Sequence, residues 1–85
     1  MQHEIYQKGF AFLYFSKAFY DKTALQETAK VFRPYASITL SEMGTYYIIR
    51  IAENDPSFTQ KEIGDAFKEY LMAVEYETNL QANGL

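Results

Sequence analysis

The 85-residue sequence contains no cysteine, no tryptophan and a single histidine. The absence of cysteine excludes disulfides, thiolate nucleophiles, cysteine-ligated iron–sulfur clusters and cysteine-type zinc sites. His3 stands alone near a chain end, so we expect a solvated side chain and not a base or a ligand. The four glycines are scattered and form no phosphate-binding loop. The sequence therefore predicts a protein that is not an enzyme and that has no cofactor and no metal.

Long hydrophobic runs are also lacking. The longest apolar stretch, residues 10–15, is far too short to span a membrane. The first ten residues lack the basic-then-apolar order of a secretion signal. The net charge of −3 argues against nucleic-acid binding, which depends on a high density of cations along the phosphates. We therefore expect a soluble cytoplasmic protein that has neither a membrane nor a nucleic-acid partner.

Aromatic residues are abundant, with eight tyrosines and seven phenylalanines. This number is large for the core of so short a chain, so some rings are expected at the surface, where tyrosine is common in interfaces. The length predicts a single domain over residues 1–85. The ends, residues 1–7 and 80–85, are predicted to be flexible tails.

The clearest local pattern is a closing helix within residues 57–74. Thr59 and Glu62 have the spacing of a capping box, and Phe58 and Ile63 that of a hydrophobic staple. The helix is predicted to run on to about residue 76 or 79. One broad stripe of apolar side chains follows the helical repeat and must be buried against other elements: Ile63, Ala66, Phe67, Tyr70, Leu71 and Val74.

Four further elements precede this helix. We predict strands over residues 8–16, 36–41 and 45–52, and a helix over residues 21–32 that is capped by Asp21 or Thr23. The order is β-α-β-β-α, an α+β fold. A right-handed crossover makes the first two strands parallel, and a hairpin makes the last two antiparallel. The last strand is apolar on both sides, so we predict a three-stranded sheet of order 1-3-2 with both helices on one face.

Two helices cover only one face of such a sheet, so the other face is expected to stay open. We choose the face that carries arginine, because an unpaired guanidinium is costly to bury under helices. An aromatic surface with one arginine resembles an interface in composition. The predicted partner-binding residues are Phe10, Phe12, Tyr14, Tyr46, Ile48 and Arg50. An outer strand of the sheet is a second possible site, where a peptide adds as a further strand.

Two segments carry a resemblance to a known family. Tyr20 leads into residues 23–29 and Phe32, which follow the pattern Y-x-x-x-A-I/L-x-x-x-A-x-x-F, and residues 67–71 follow the pattern F-x-N-x-L except that Glu69 replaces the Asn. With the strand pair of residues 36–52, the sequence resembles the HxsD-like proteins over most of residues 13–72. These are small accessory proteins encoded beside radical-SAM maturases of His-Xaa-Ser and related modified peptides.

The resemblance implies a cytoplasmic adaptor without catalytic activity, which binds a precursor peptide, a radical-SAM maturase, or both. The iron–sulfur cluster would belong to the maturase, since this chain has no thiolate to hold one. Two alternatives remain open. The open face is covered in a homodimer with a structural role, or Glu62, Asp65 and Glu69 on one flank of the closing helix bind a divalent metal ion.

Overall fold

A computed structural model describes the backbone of residues 3–7 and 9–82, and the side chains of residues 4–5 and 9–75. It contains four strands and two helices in the order ββαββα. The elements are β1 (His3–Gln7), β2 (Phe10–Ser16), α1 (Lys22–Phe32), β3 (Ser37–Met43), β4 (Tyr46–Ala52) and α2 (Gln60–Ala82). The prediction of an α+β fold with two helices is confirmed.

The sheet has four strands in the order β1-β2-β4-β3, and all neighbouring pairs are antiparallel. The prediction of a three-stranded sheet of order 1-3-2 is therefore wrong. The three predicted strands keep their relative order as β2, β4 and β3, and β1 is added beside β2. The reason is that residues 3–7, predicted to be a flexible tail, pair with β2 through Gly9, whose φ of +84° suits a hairpin turn.

Three further element boundaries differ from the predictions by two residues or more. β2 begins at Phe10 because the hairpin turn includes Gly9, and β3 extends to Met43 before a turn at Gly44, whose φ is +58°. α2 continues to Ala82, so residues 80–82 are helical and not part of a flexible tail. Residues 83–85, predicted to belong to the same tail, lie outside the described residues.

The helix starts are held by side-chain caps. At α1 the Asp21 carboxylate accepts a hydrogen bond from the Thr23 N–H at 3.2 Å, which identifies Asp21 as the cap. At α2 the Thr59 N–H donates to Glu62 Oε1 at 2.9 Å, and the Glu62 N–H donates to Thr59 Oγ1 at 3.1 Å. The predicted capping box is confirmed, because both bonds that define it are present.

One hydrophobic core lies between the sheet and the two helices, which cover the same face. β2 and β4 supply the inward side chains of alternate residues, and each helix supplies one stripe. The largest fully buried side chains are Leu13, Phe15, Leu25, Ile49, Ile51, Phe67 and Leu71, with Thr28 as the polar member. The Thr28 hydroxyl donates to the Ala24 carbonyl at 2.8 Å, which satisfies it inside the core.

The apolar stripe of α2 is only partly buried. Ile63, Phe67 and Leu71 belong to the core, but Ala66 is exposed and Tyr70 is 42% exposed. The stripe is wider than the surface that the sheet and α1 offer. Tyr70 packs edge-on against Phe32 at the outer side of α1, with ring centroids 6.1 Å apart.

Candidate binding face

The face of the sheet that points away from the helices is here called the open face. Because antiparallel partners share a face, the register brings the predicted residues together. Phe12 lies opposite Arg50, and Tyr14 lies opposite Ile48. Phe10 is two residues before Phe12 on the same side of β2. Tyr46, beside Ser16 at the end of this row, completes the set. All six residues predicted for partner binding therefore lie on one surface.

The aromatic side chains of the open face cover one another in part. The rings of Phe10 and Phe12 are stacked with centroids 6.3 Å apart, and Tyr14 meets Tyr46 edge to face at 6.4 Å. Each of these four side chains is half-buried. Mutual packing of this kind holds the rings in place and leaves their outer surfaces available for a partner.

Ile48 and Arg50 contribute to the open face in a different way from the four aromatic residues. Ile48 is only 7% exposed, so it supports the surface from below and offers little area itself. Arg50 is half-buried, and its guanidinium carbon lies 4.6 Å from the centroid of the Phe10 ring. This cation–π contact keeps the guanidinium on the aromatic surface. Among the described side chains of the open face, Arg50 is the only charged one.

Two exposed apolar residues at the margins of the open face were missed from the sequence. Ile5 on β1 lies opposite Phe12 and is 42% exposed, and Met43 on β3 lies opposite Tyr46 and is 67% exposed. Ile5 was missed because its segment was predicted to be a tail, and Met43 because it was assigned to a turn. Two strand-favouring residues, Ile5 and Tyr6, precede a turn signal at Lys8-Gly9, and this pattern could have identified β1.

The middle of the margin beside β3 is polar. Thr39 lies opposite Arg50 and Ser41 lies opposite Ile48, and both are exposed. The open face thus consists of an aromatic centre on β2 and β4, one cation, and a hydroxyl-bearing border. An interface with an apolar centre and a polar rim has the same arrangement.

Two of the three acidic residues on the flank of α2 take part in other interactions. Glu62 belongs to the capping box, and Asp65 pairs with Lys61 at 3.0 Å and with Lys68 at 3.4 Å. The hydrogen bond from Lys61 lowers the pKa of the Asp65 carboxyl. Within residues 4–5 and 9–75, no group of three His, Asp or Glu side chains is arranged to hold a metal ion. The hypothesis of a carboxylate metal site on α2 therefore has no support from the geometry.

A second apolar surface lies on the helical side. A cavity of about 300 Å³ opens between the end of α1, the loop before α2 and the first turns of α2. Phe32, Tyr35 and Phe58 supply its aromatic lining, and the rings of Tyr35 and Phe58 meet edge to face at 6.0 Å. Ile63 also lines it, so the two residues of the predicted staple border the same cavity.

A third region combines charge with a free strand edge. Glu42 at the end of β3 pairs with Lys17 and with Lys22, each at 2.9 Å. Hydrogen bonds from Lys17 and Lys22 lower the pKa of the Glu42 carboxyl to about 2, and the bond to Glu42 raises the pKa of Lys22. These contacts join the start of α1 to the outer strand β3.

Neither helix is both long enough and apolar enough, over the part of the chain described, to cross a bilayer. Comparisons of the sequence with models of known protein families and with curated proteins, and of the fold with solved structures, gave no match.

Proposed function

We propose that this protein is an adaptor without catalytic activity, which binds a protein or peptide partner through the open face. The observation that carries the proposal is the aromatic surface on β2 and β4 that neither helix covers. Rigid aromatic rings beside an arginine are the side chains that most often dominate the binding free energy of an interface. Exposed apolar patches rimmed by polar residues mark such sites.

The resemblance to the HxsD-like proteins supplies the class of partner. It favours a cytoplasmic role in ribosomal peptide modification, with a radical-SAM maturase or its precursor peptide as the bound molecule. The reaction and its cluster would then belong to the maturase, and this chain would contribute recognition. The open face supports this role because an apolar surface with one cation suits an apolar partner segment that carries a carboxylate.

A homodimer through the same face is the competing proposal. A face-to-face dimer centred on Arg50 would bring two guanidinium groups together on an apolar surface, where like charges are poorly screened. The charge at the middle of the face therefore favours a different partner over a second copy.

The test compares wild-type protein with the double variant Phe12→Ser with Tyr46→Ser. Tagged protein is recovered from its native cells, and the bound proteins and short peptides are identified by mass spectrometry. We expect the wild type to retain a radical-SAM enzyme or a short ribosomal peptide, and the double variant to lose it. Both side chains lie outside the core cluster, so the double variant should keep its circular dichroism spectrum.

The matched control is Phe19→Ser, which removes an exposed ring that lies outside the sheet, in the segment between β2 and α1. It should bind the partner as the wild type does. Partner binding that survives in the double variant would refute the use of the open face. A wild type that sediments as a dimer, and a double variant that sediments as a monomer, would support the homodimer instead.

A further inference from the structure

The outer strand β3 has a free edge, because the sheet ends there. The Lys17 N–H donates to the Thr45 carbonyl at 2.9 Å, which continues the ladder between β2 and β4. Residues of an antiparallel strand bond alternately to its two neighbours. Four residues of β4 therefore bond to β3: Tyr46 pairs with Met43, Ile48 with Ser41, Arg50 with Thr39 and Ala52 with Ser37.

The same alternation decides which backbone groups of β3 are left over. The N–H and C=O groups of Ile38, Leu40 and Glu42 point away from β4, toward the free edge. Unpaired groups of this kind are a template on which a further strand can be added. A strand added here would form hydrogen bonds with these three residues of β3.

A groove runs along this edge between β3 and α1. Its volume is about 550 Å³, and Lys22, Gln26 and Arg33 of the α1 side line it together with residues of β3. The side chains of Ile38, Leu40 and Glu42 lie on the helix side of the sheet. Residues that pair directly with these three place their own side chains on the same side. Every second side chain of an added strand would therefore lie over the groove.

The groove is basic. Lys22 lines it near the end of β3, and Arg33 lines it near the end of α1. Among the described side chains that line it, Glu42 is the one acidic residue, and its carboxylate is shared by two lysines, Lys17 and Lys22. The cations outnumber the carboxylate, so the groove complements negative side chains.

We infer that the free edge of β3 is a second binding site, which takes an extended peptide segment with acidic side chains opposite Ile38 and Leu40, two residues apart. The peptide adds as a fifth strand, and its acidic side chains lie over Lys22 and Arg33. Main-chain hydrogen bonds supply affinity in this mode of binding, and the alternate side chains supply specificity. The site extends the proposed function, because the adaptor then holds a peptide on its edge separately from a partner on its open face.

The probe is a fluorescein-labelled, acetylated peptide of about eight residues, a usual strand length, in which valine and glutamate alternate. Two matched peptides replace glutamate with lysine or with glutamine. At low salt we expect the glutamate peptide to bind at least about tenfold more tightly than the lysine peptide, because exposed charges are weakly screened there. Fluorescence anisotropy measures the three affinities.

Amide hydrogen exchange by NMR locates the bound peptide. The glutamate peptide should slow exchange of the Leu40 and Glu42 amides, whose N–H groups point to the free edge. The amides of Thr39 and Ser41 should change little, since they already bond to β4. This alternating pattern is specific to strand addition and would not follow from binding on the open face.

Gln26→Glu tests the charge of the groove without touching the backbone of β3. This variant should bind the glutamate peptide about tenfold more weakly than the wild type does, and should bind the lysine peptide more tightly. Lys30→Gln is the control, because it gives the same net charge at an exposed position of α1 that does not line the groove. Leu40→Pro removes one outward N–H and should also abolish binding, provided that the variant keeps its fold.

Three outcomes would overturn the edge site. Equal affinity for all three peptides, with no protection of the Leu40 amide, would exclude it. Loss of the glutamate peptide in the Phe12→Ser with Tyr46→Ser variant would assign the peptide to the open face. Concentration-dependent protection of Leu40 in the protein alone would assign the edge to a second copy of the chain. Retention of the glutamate peptide in that double variant separates this site from the proposed function.

Discussion

The two faces of β2 have similar apolar composition and very different surroundings. Ala11, Leu13 and Phe15 are fully buried under the helices, whereas the side chains of Phe12 and Tyr14, between them along the strand, are only half-buried. Hydrophobicity along this strand therefore does not indicate which side is the core. The helices decide it, since they place large side chains such as Phe67 against one face, where this ring packs on Phe15.

The largest expected effect on stability comes from a cavity in the core, on the face of the sheet that the helices cover. Phe67→Ala removes a fully buried ring that packs against Phe15 and Phe32, with centroids 6.1 and 5.8 Å away. We expect the free energy of unfolding to fall by about 3–5 kcal/mol in urea titrations. The matched change Phe12→Ala on the open face should cost about 1–2 kcal/mol, because its ring is only half-buried. Equal losses would mean that the two faces are equally packed.

A smaller effect is expected at the start of the helix that covers the core. Thr59→Ala removes the hydroxyl that accepts the Glu62 N–H, and should lower the free energy of unfolding by about 1 kcal/mol. Glu62→Gln is the control, because glutamine also completes a capping box. Thermal unfolding followed by circular dichroism measures both variants. If Glu62→Gln were as costly as Thr59→Ala, the charge of Glu62 and not the capping box would hold this end of α2.

The smallest effect is expected at Glu42, on the margin between the two faces. Lys17 and Lys22 hold the pKa of its carboxyl at about 2, below the value of about 4.3 expected in the unfolded chain. A carboxyl whose pKa is lowered by folding stabilises the folded protein at pH values above its pKa in the unfolded chain. This contribution is lost as the pH falls toward 2. The melting temperature of the wild type should therefore exceed that of Glu42→Gln at pH 7, and the difference should shrink between pH 4.5 and about 2.

A variant that lacks both lysines provides the control for that pH dependence. When Lys17→Gln and Lys22→Gln are both present, adding Glu42→Gln should no longer change the melting temperature in a pH-dependent way. A difference that persists in this background would show that other groups are responsible. Exposed ion pairs contribute little, so the measurement needs low salt.

The sequence was sufficient for the elements with strong local patterns. The capping box at Thr59 and the hairpin of the last two strands each depend on residues close together in the chain, and each is present in the structure. The choice of the open face rested on a single residue. Arg50 indicated the side away from the helices, because a guanidinium is costly to bury without a partner.

The errors occurred where pairing with another segment decides the structure. The segment of β1 is short and partly polar, and it becomes a strand by bonding to β2. Its hairpin signal, Lys8-Gly9, was assigned to the following strand. The exposure of Ala66 likewise depends on how far α1 and the sheet extend beneath α2. A periodic stripe identifies the buried side of a helix but not how much of it is covered.

The order of the strands has a consequence for how the chain folds. β1 with β2 and β3 with β4 are hairpins whose partners are close in sequence, so each can form early and locally. The two inner strands, β2 and β4, are separated in sequence by α1 and β3. Their pairing therefore closes a long loop, as the pair of Ser16 and Tyr46 shows. Closing that long loop costs entropy before its contacts repay it. We therefore expect the docking of the two hairpins to limit the folding rate, and substitutions at the β2–β4 seam to slow folding more than substitutions at either turn.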